Sequence, residues 1–175
     1  GSPEAGRLPK TAFGNGLEIN SDGATVWTRG SGPLQSWNVR SSDLQGPAFA
    51  CDGNEFRISP NGQRMAVAGS GVYVRDATTG AEQLKLTDGT PMVDVDWSSD
   101  GQRIAVVRPS GKVEIRNATT GDVVREFADD RGACNGVKWS PDGRWLAATG
   151  SAAATLRVWD AETGDVRWNA DGIRG

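Results

Sequence analysis

The chain has 175 residues, with 19 Lys plus Arg against 22 Asp plus Glu and a formal net charge of −3, so it lacks the basic excess of a general nucleic-acid binder. Apolar residues make up 37% and two Cys are present; no run approaches the ~18 apolar residues of a membrane span, and the Cys are too few for a disulfide-dense secreted scaffold. There is no His, which removes the commonest general base and metal ligand, while 24 Gly and seven Trp point to short strands joined by tight turns.

In chain order, Gly1 and Ser2 read as a tag remnant, and residues 3–12, with two Pro and no apolar periodicity, as a flexible lead-in or a strand added late. No signal peptide is visible, so the default location is cytoplasmic. From residue 17 the chain repeats. An Asx-Gly turn recurs at Asp22-Gly23, Asn61-Gly62, Asp100-Gly101 and Asp142-Gly143, at intervals of 39, 39 and 42 residues. Each turn is followed by a short apolar segment: ATVWT, QRMAVAG, QRIAVVR and RWLAATG. A further strand follows as LQSW, VYVR, VEIR and LRVW. Leu34, Val72, Val113 and Leu156 begin one face of it, and Ser36, Val74, Ile115 and Val158 continue that face two residues on. A period of two marks a strand.

The strand closes on DATTG at 76–80, NATTG at 117–121 and DAETG at 160–164. The Asx side chain bonds backbone N–H groups two residues on, and the terminal Gly takes positive φ. In the first unit the slot runs from Asn38 to Ser42 without Gly, which makes that unit degenerate. Another strand follows each such turn, as VVREF at 123–127, and another precedes each Asx-Gly turn, as VDVDW at 93–97. Four strands in about 40 residues, repeated, is the pattern of a β-propeller. The expected fold is all-β: a β-propeller with four four-stranded blades per chain. Residues 1–16 are tag and lead-in, 17–53 a degenerate first blade, and 54–91, 92–135 and 136–175 the other three.

SPDGRWLAATG followed by LRVWDAETG resembles a WD-repeat blade, with Trp159-Asp160 as the naming dipeptide. The resemblance spans about residues 17–169, strongest in the fourth unit and weakest in the first. The other units read Trp37-Asn38, Arg75-Asp76 and Arg116-Asn117, and the family's Gly-His pair is absent throughout. The chain is thus similar to the looser, bacterial kind of WD repeat, without the buried Trp–Ser–His–Asp network. Family rings usually hold seven or eight blades, so the resemblance implies an open half-ring with two bare sheet faces. Three closures are open: a head-to-tail dimer about a two-fold axis, blades from another protein or from more of the same chain, or tight closure of four blades alone. The dimer is the favoured expectation, since two-fold dimers are the commonest closed assembly.

Catalytic motifs are missing. Gly111-Lys112 lacks both the upstream Gly and the following hydroxyl of a phosphate-binding loop, and neither a nucleophile elbow nor a His-dependent triad is possible. Asp94, Asp96 and Asp100 do not fit a calcium loop. Asp94 and Asp96 are expected to alternate out from Val93, Val95 and Trp97 on a strand lining the central channel. Cys51 and Cys134, two blades apart, are expected as buried thiols rather than a disulfide. The Asn117 sequon is read as a turn former. VWDAETGDVRW resembles the tryptophan-docking motif of quinoprotein propellers, but only Trp168 carries the trailing Trp, so no cofactor is expected. Trp97 and Trp139 share one repeat position and Trp37 and Trp159 another, which reads as packing. Of Trp27, Trp145 and Trp168, one is a candidate exposed anchor.

The resulting expectation is a scaffold without catalysis or metal that binds protein or peptide. The resemblance implies recognition on the ring's top face, whose loops include Arg29, Asp52, Ser70, Asp88, Arg108, Lys112, Asp129, Asp130 and Arg131. Its partners are a second copy of itself and an unknown protein or peptide, with neither nucleic acid nor membrane. The alternative is an accessory or sensor fragment of a longer multidomain protein or enzyme.

Overall fold

The computed structural model describes residues 16–29, 33–50, 53, 55–86, 89–127, 134–150 and 155–170. Among these, sixteen strands form four separate antiparallel sheets, each built from four strands in chain order. The first sheet holds β1 (Gly16–Ile19), β2 (Thr25–Arg29), β3 (Leu34–Asn38) and β4 (Leu44–Phe49). The second holds β5 (Glu55–Ile58), β6 (Arg64–Ala68), β7 (Val72–Asp76) and β8 (Glu82–Leu86). β9 (Asp94–Trp97), β10 (Arg103–Val107), β11 (Val113–Asn117) and β12 (Val123–Phe127) make the third. The fourth comprises β13 (Cys134–Trp139), β14 (Trp145–Gly150), β15 (Thr155–Asp160) and β16 (Val166–Ala170). No sheet closes on itself; this is an open, four-bladed half-propeller.

Both families of turns hold these hairpins by local chemistry. In the Asx-Gly turns a Ser hydroxyl donates to the Asx side chain (Ser59 to Asn61, 2.8 Å; Ser98 to Asp100, 2.6 Å) and accepts the N–H of the next strand's first residue (Arg64 and Arg103, both 2.9 Å). In the later turns one side-chain oxygen accepts two backbone N–H groups: Asp76 from Thr78 and Thr79, Asn117 from Thr119 and Thr120, Asp160 from Glu162 and Thr163. The sequon Asn is therefore occupied as a turn former. Asn38 does the same for Arg40 and Ser41, and Ser42 takes the positive φ, 60°, that Gly80, Gly121 and Gly164 take in the other turns. The first unit thus keeps the turn without its glycine.

Apolar side chains gather at the junctions between sheets, as in other stacked repeats where each unit touches only its neighbours. Trp27, Leu34 and Phe49 meet Phe56, Met65 and Val67 between the first and second sheets. Ala66, Val72 and Val74 meet Val95, Trp97 and Ile104 at the next junction, and Ala105, Val113 and Ile115 meet Val137, Leu146 and Trp159 at the last. The face begun by Leu34, Val72 and Val113 therefore points to the following sheet and is buried. Leu156 and Val158 carry the same face in the fourth sheet but are only half-buried, since no described sheet covers them. β1, β5, β9 and β13 pack against one another in succession and form the inner edge of the stack.

Candidate functional site

The loops expected to form the top face are partly described. Arg29 ends β2 and is half-buried, and Ser70 is exposed with its hydroxyl 3.3 Å from that of Tyr73. Arg108 and Lys112 flank the β10–β11 loop and meet at Glu114, whose side chain is only 1% exposed. Arg108 Nε lies 2.9 Å and Arg116 Nη2 2.6 Å from the Glu114 carboxylate, while Lys112 reaches Glu126 at 2.6 Å and Glu114 at 3.4 Å. Burial pushes the Glu114 carboxyl up, but hydrogen bonds from Arg108 and Arg116 outweigh it and hold the group below the ordinary glutamate range. Two of the expected recognition residues thus serve a buried carboxylate. Asp52, Asp88, Asp129, Asp130 and Arg131 lie outside the described residues, as does Cys51; Cys134 is buried.

Asp94 and Asp96 alternate with Val95 and Trp97 as expected, yet they are not left to channel water. Asp94 is 6% exposed and accepts the backbone N–H of Val137 at 2.9 Å; Asp96 accepts that of Trp139 at 2.8 Å. Both carboxylates therefore tie β9 to β13. They belong to a charged row along the inner edge. Arg57 lies 3.5 Å from Glu18 in the preceding sheet and 3.5 Å from Asp94 in the following one, and Lys138 lies 3.2 Å from Asp96. Burial raises the Glu18 carboxyl above its ordinary value; Arg57 and, more weakly, Lys138 offset this only in part, while Asp96 and Asp94 add to it. This row went unread in the sequence, although Glu18, Arg57, Asp96 and Lys138 each stand four residues before their turn's Asx.

The two end faces of the stack carry much of the exposed apolar surface, with Val123 and Val124 on β12 exposed as well. On the first sheet Leu17 and Ile19 are 63% and 61% exposed, on the same face as Val26, Trp37 and Leu44. On the fourth, Trp168 is 51% exposed beside Val158. Trp168 is thus the exposed member of its three candidates; Trp27 is buried and Trp145 half-buried. Trp97, Trp139 and Trp159 are buried, whereas Trp37 is half-buried because its face is an end face, and its indole N–H donates to Thr28. Such patches on a soluble protein mark interaction sites. Among the described residues no helix is long and apolar enough to cross a membrane, and no His, Cys, Asp and Glu group is arranged to hold a metal.

A family profile described as "WD domain, G-beta repeat" matches residues 121–160, the end of the third sheet and most of the fourth. The chain is 24% identical over 114 residues to an uncharacterized WD repeat-containing protein of Synechocystis, covering 63% of this chain and 32% of that protein. It is 27% identical over 147 residues to the human WD repeat-containing protein 36, covering 77% of this chain and 16% of the relative. Against Protein FIZZY-RELATED 1 of Arabidopsis thaliana it is 24% identical over 143 residues, covering 76% and 29%. The chain spans at most about a third of the length of these relatives. Taken with the four four-stranded sheets, these matches support a WD-repeat, β-propeller-type domain in this chain.

Proposed function

We propose that the chain is a non-catalytic protein- or peptide-binding scaffold, a half-propeller of the degenerate bacterial WD-repeat kind that completes an eight-bladed ring by pairing head to tail with a second copy. Its blades run over 17–53, 54–91, 92–135 and 136–175, and its setting is cytoplasmic. The observation that carries this reading is the pair of end faces. Leu17 and Ile19 stand where Phe56 and Ile58, Val95 and Trp97, and Val137 and Trp139 stand at the three internal junctions. At the other end Leu156 and Val158 stand where Val72 and Val74 are buried. Each end thus offers the half of a junction that the other end lacks.

The closed ring would present protein or peptide ligands to the loops around Arg29, Ser70, Arg108 and Lys112, with Asp52, Asp88, Asp129, Asp130 and Arg131 in the same set. The charge of −3 disfavours nucleic acid and anionic membrane as partners. Peptides selected from a random display library against the purified chain test this. Ser70→Glu and Lys112→Glu should abolish their binding, while Thr78→Glu on the opposite rim should not. Loss through Thr78→Glu alone, or no selectable peptide, would contradict it.

The greater length of the relatives favours a second reading, in which further blades come from a longer chain or another protein and the domain is an accessory or sensor module. A purified chain that stays monomeric would favour this reading.

A further inference from the structure

Glu18, Arg57, Asp96 and Lys138 occupy one repeat position, opposite Trp27, Ala66, Ala105 and Ala147 in the strand registers. Their signs run negative, positive, negative, positive through the four sheets. Arg57 touches carboxylates in both neighbouring sheets, Glu18 behind and Asp94 ahead, each at 3.5 Å. Among the described residues Lys138 pairs with Asp96 behind it at 3.2 Å and acts more weakly on Glu18 of its own chain, and its side chain is 57% exposed. Glu18, at the other end, has the adjacent cation Arg57 on one side. A row that begins negative and ends positive over four sheets stays in phase with a second copy of itself. A two-fold axis makes that junction twice, so eight charges alternate without a break. A ring with an odd number of blades must break the alternation.

A second feature of the same junctions agrees. Arg64 stacks over Trp97 at 4.8 Å and Arg103 over Trp139 at 5.1 Å, each Arg from the sheet before. In the fourth sheet the Arg position is Trp145, and in the first the Trp position is Ile19. The second sheet likewise has Ile58 at the Trp position, where Thr25 holds the Arg position in the first, so an aliphatic residue there already serves one internal junction. The pair brought together by head-to-tail closure, Trp145 over Ile19, is therefore an apolar contact of similar bulk.

We infer that Lys138 pairs with Glu18 of a second copy, twice about the two-fold axis, so that an unbroken ring of eight alternating charges selects another copy of this chain as the partner. This rests on the dimer reading above and adds the contact that makes closure selective. Charge complementarity across an interface chiefly excludes wrong partners, since like charges brought together are strongly unfavourable.

The test uses two single reversals, Lys138→Glu and Glu18→Lys, with mass in solution measured by sedimentation. Each variant alone places like charges at both junctions of its own dimer, and its association should weaken about tenfold or more. Mixed in equal amounts they should recover a dimer, because both junctions of the mixed pair again carry opposite charges. Any damage inside a chain, at Asp96 or Arg57, is the same alone and in the mixture, so recovery reads only the contact between copies. If a reversal unfolds its chain, Lys138→Gln serves instead and should weaken the dimer and flatten its salt dependence. A wild-type dimer with variants that do not recover on mixing, or with Lys138→Gln unchanged, would overturn the charge ring and leave the dimer standing. A wild-type monomer would overturn both.

Discussion

Asp76 and Asp160 do with a charge what Asn38 and Asn117 do without one, each accepting two N–H groups in the same turn. The backbone N–H of Thr79 chiefly holds Asp76 below the ordinary aspartate value of 3.8, and that of Thr163 does the same for Asp160. A carboxylate lowered on folding adds stability that is present above its unfolded value and lost as the pH falls through the folded one. Asp76→Asn and Asp160→Asn should therefore keep the turns, leave neutral-pH melting almost unchanged, and flatten the loss of stability below about pH 4. Thermal melts at pH 7 and pH 3 check this. Ser42, at φ 60°, bears the strain its glycine counterparts avoid, so Ser42→Gly should raise stability by about 1 kcal/mol, read by denaturant midpoint. The Asx residues of these turns are legible in the sequence because their bonds are local. That Ser42 would adopt the glycine conformation was not, since the surrounding hairpin imposes it.

Among the strands, the glycine that closes each later turn has a second duty invisible in a single repeat. A Cβ at Gly121 would strike Leu86, and one at Gly80 would strike Phe49, each on the outer strand of the preceding sheet. Gly121→Ala should cost about 2–4 kcal/mol, joining positive-φ strain to overpacking, against a smaller loss for Gly89→Ala, where φ is 83° and the space is open. Urea unfolding of the two variants separates the effects. Glu114 shows the reverse case. On β11 it alternates with Val113 and Ile115, on the opposite face, and is buried beneath Arg108 and Arg116. Glu114→Ala removes the buried carboxylate that Arg108, Arg116 and Lys112 share and should cost about 3 kcal/mol, measured in the same way. Strand period marks which residues share a face, but not that long cations will cover a carboxylate on it. Arg108, among the loop residues expected to meet a partner, also makes this contact within the sheet.

At the scale of the whole molecule, the recurrence of Asx-Gly turns at near-40-residue spacing made the four sheets legible, because each sheet closes within its own repeat. What the repeats leave unstated is how the stack ends. Leu17 and Ile19 hold the register positions that are buried at the internal junctions, yet no described sheet covers them, and Trp168, one of three candidates for an exposed anchor, is exposed on the other end face. The alternating inner charges were readable at the same spacing as the turns, but their meaning depends on Arg57 bridging two sheets, which only the packed inner edge reveals. Reversing an end face should act on assembly and not on folding: Ile19→Lys or Trp168→Glu should leave the melting profile of dilute protein intact while dispersing the proposed dimer. The most direct measurement is absolute mass by light scattering across a dilution series of the unmodified chain. The account predicts a stable species of twice the 18.5 kDa chain mass; a well-behaved monomer at every concentration would contradict it.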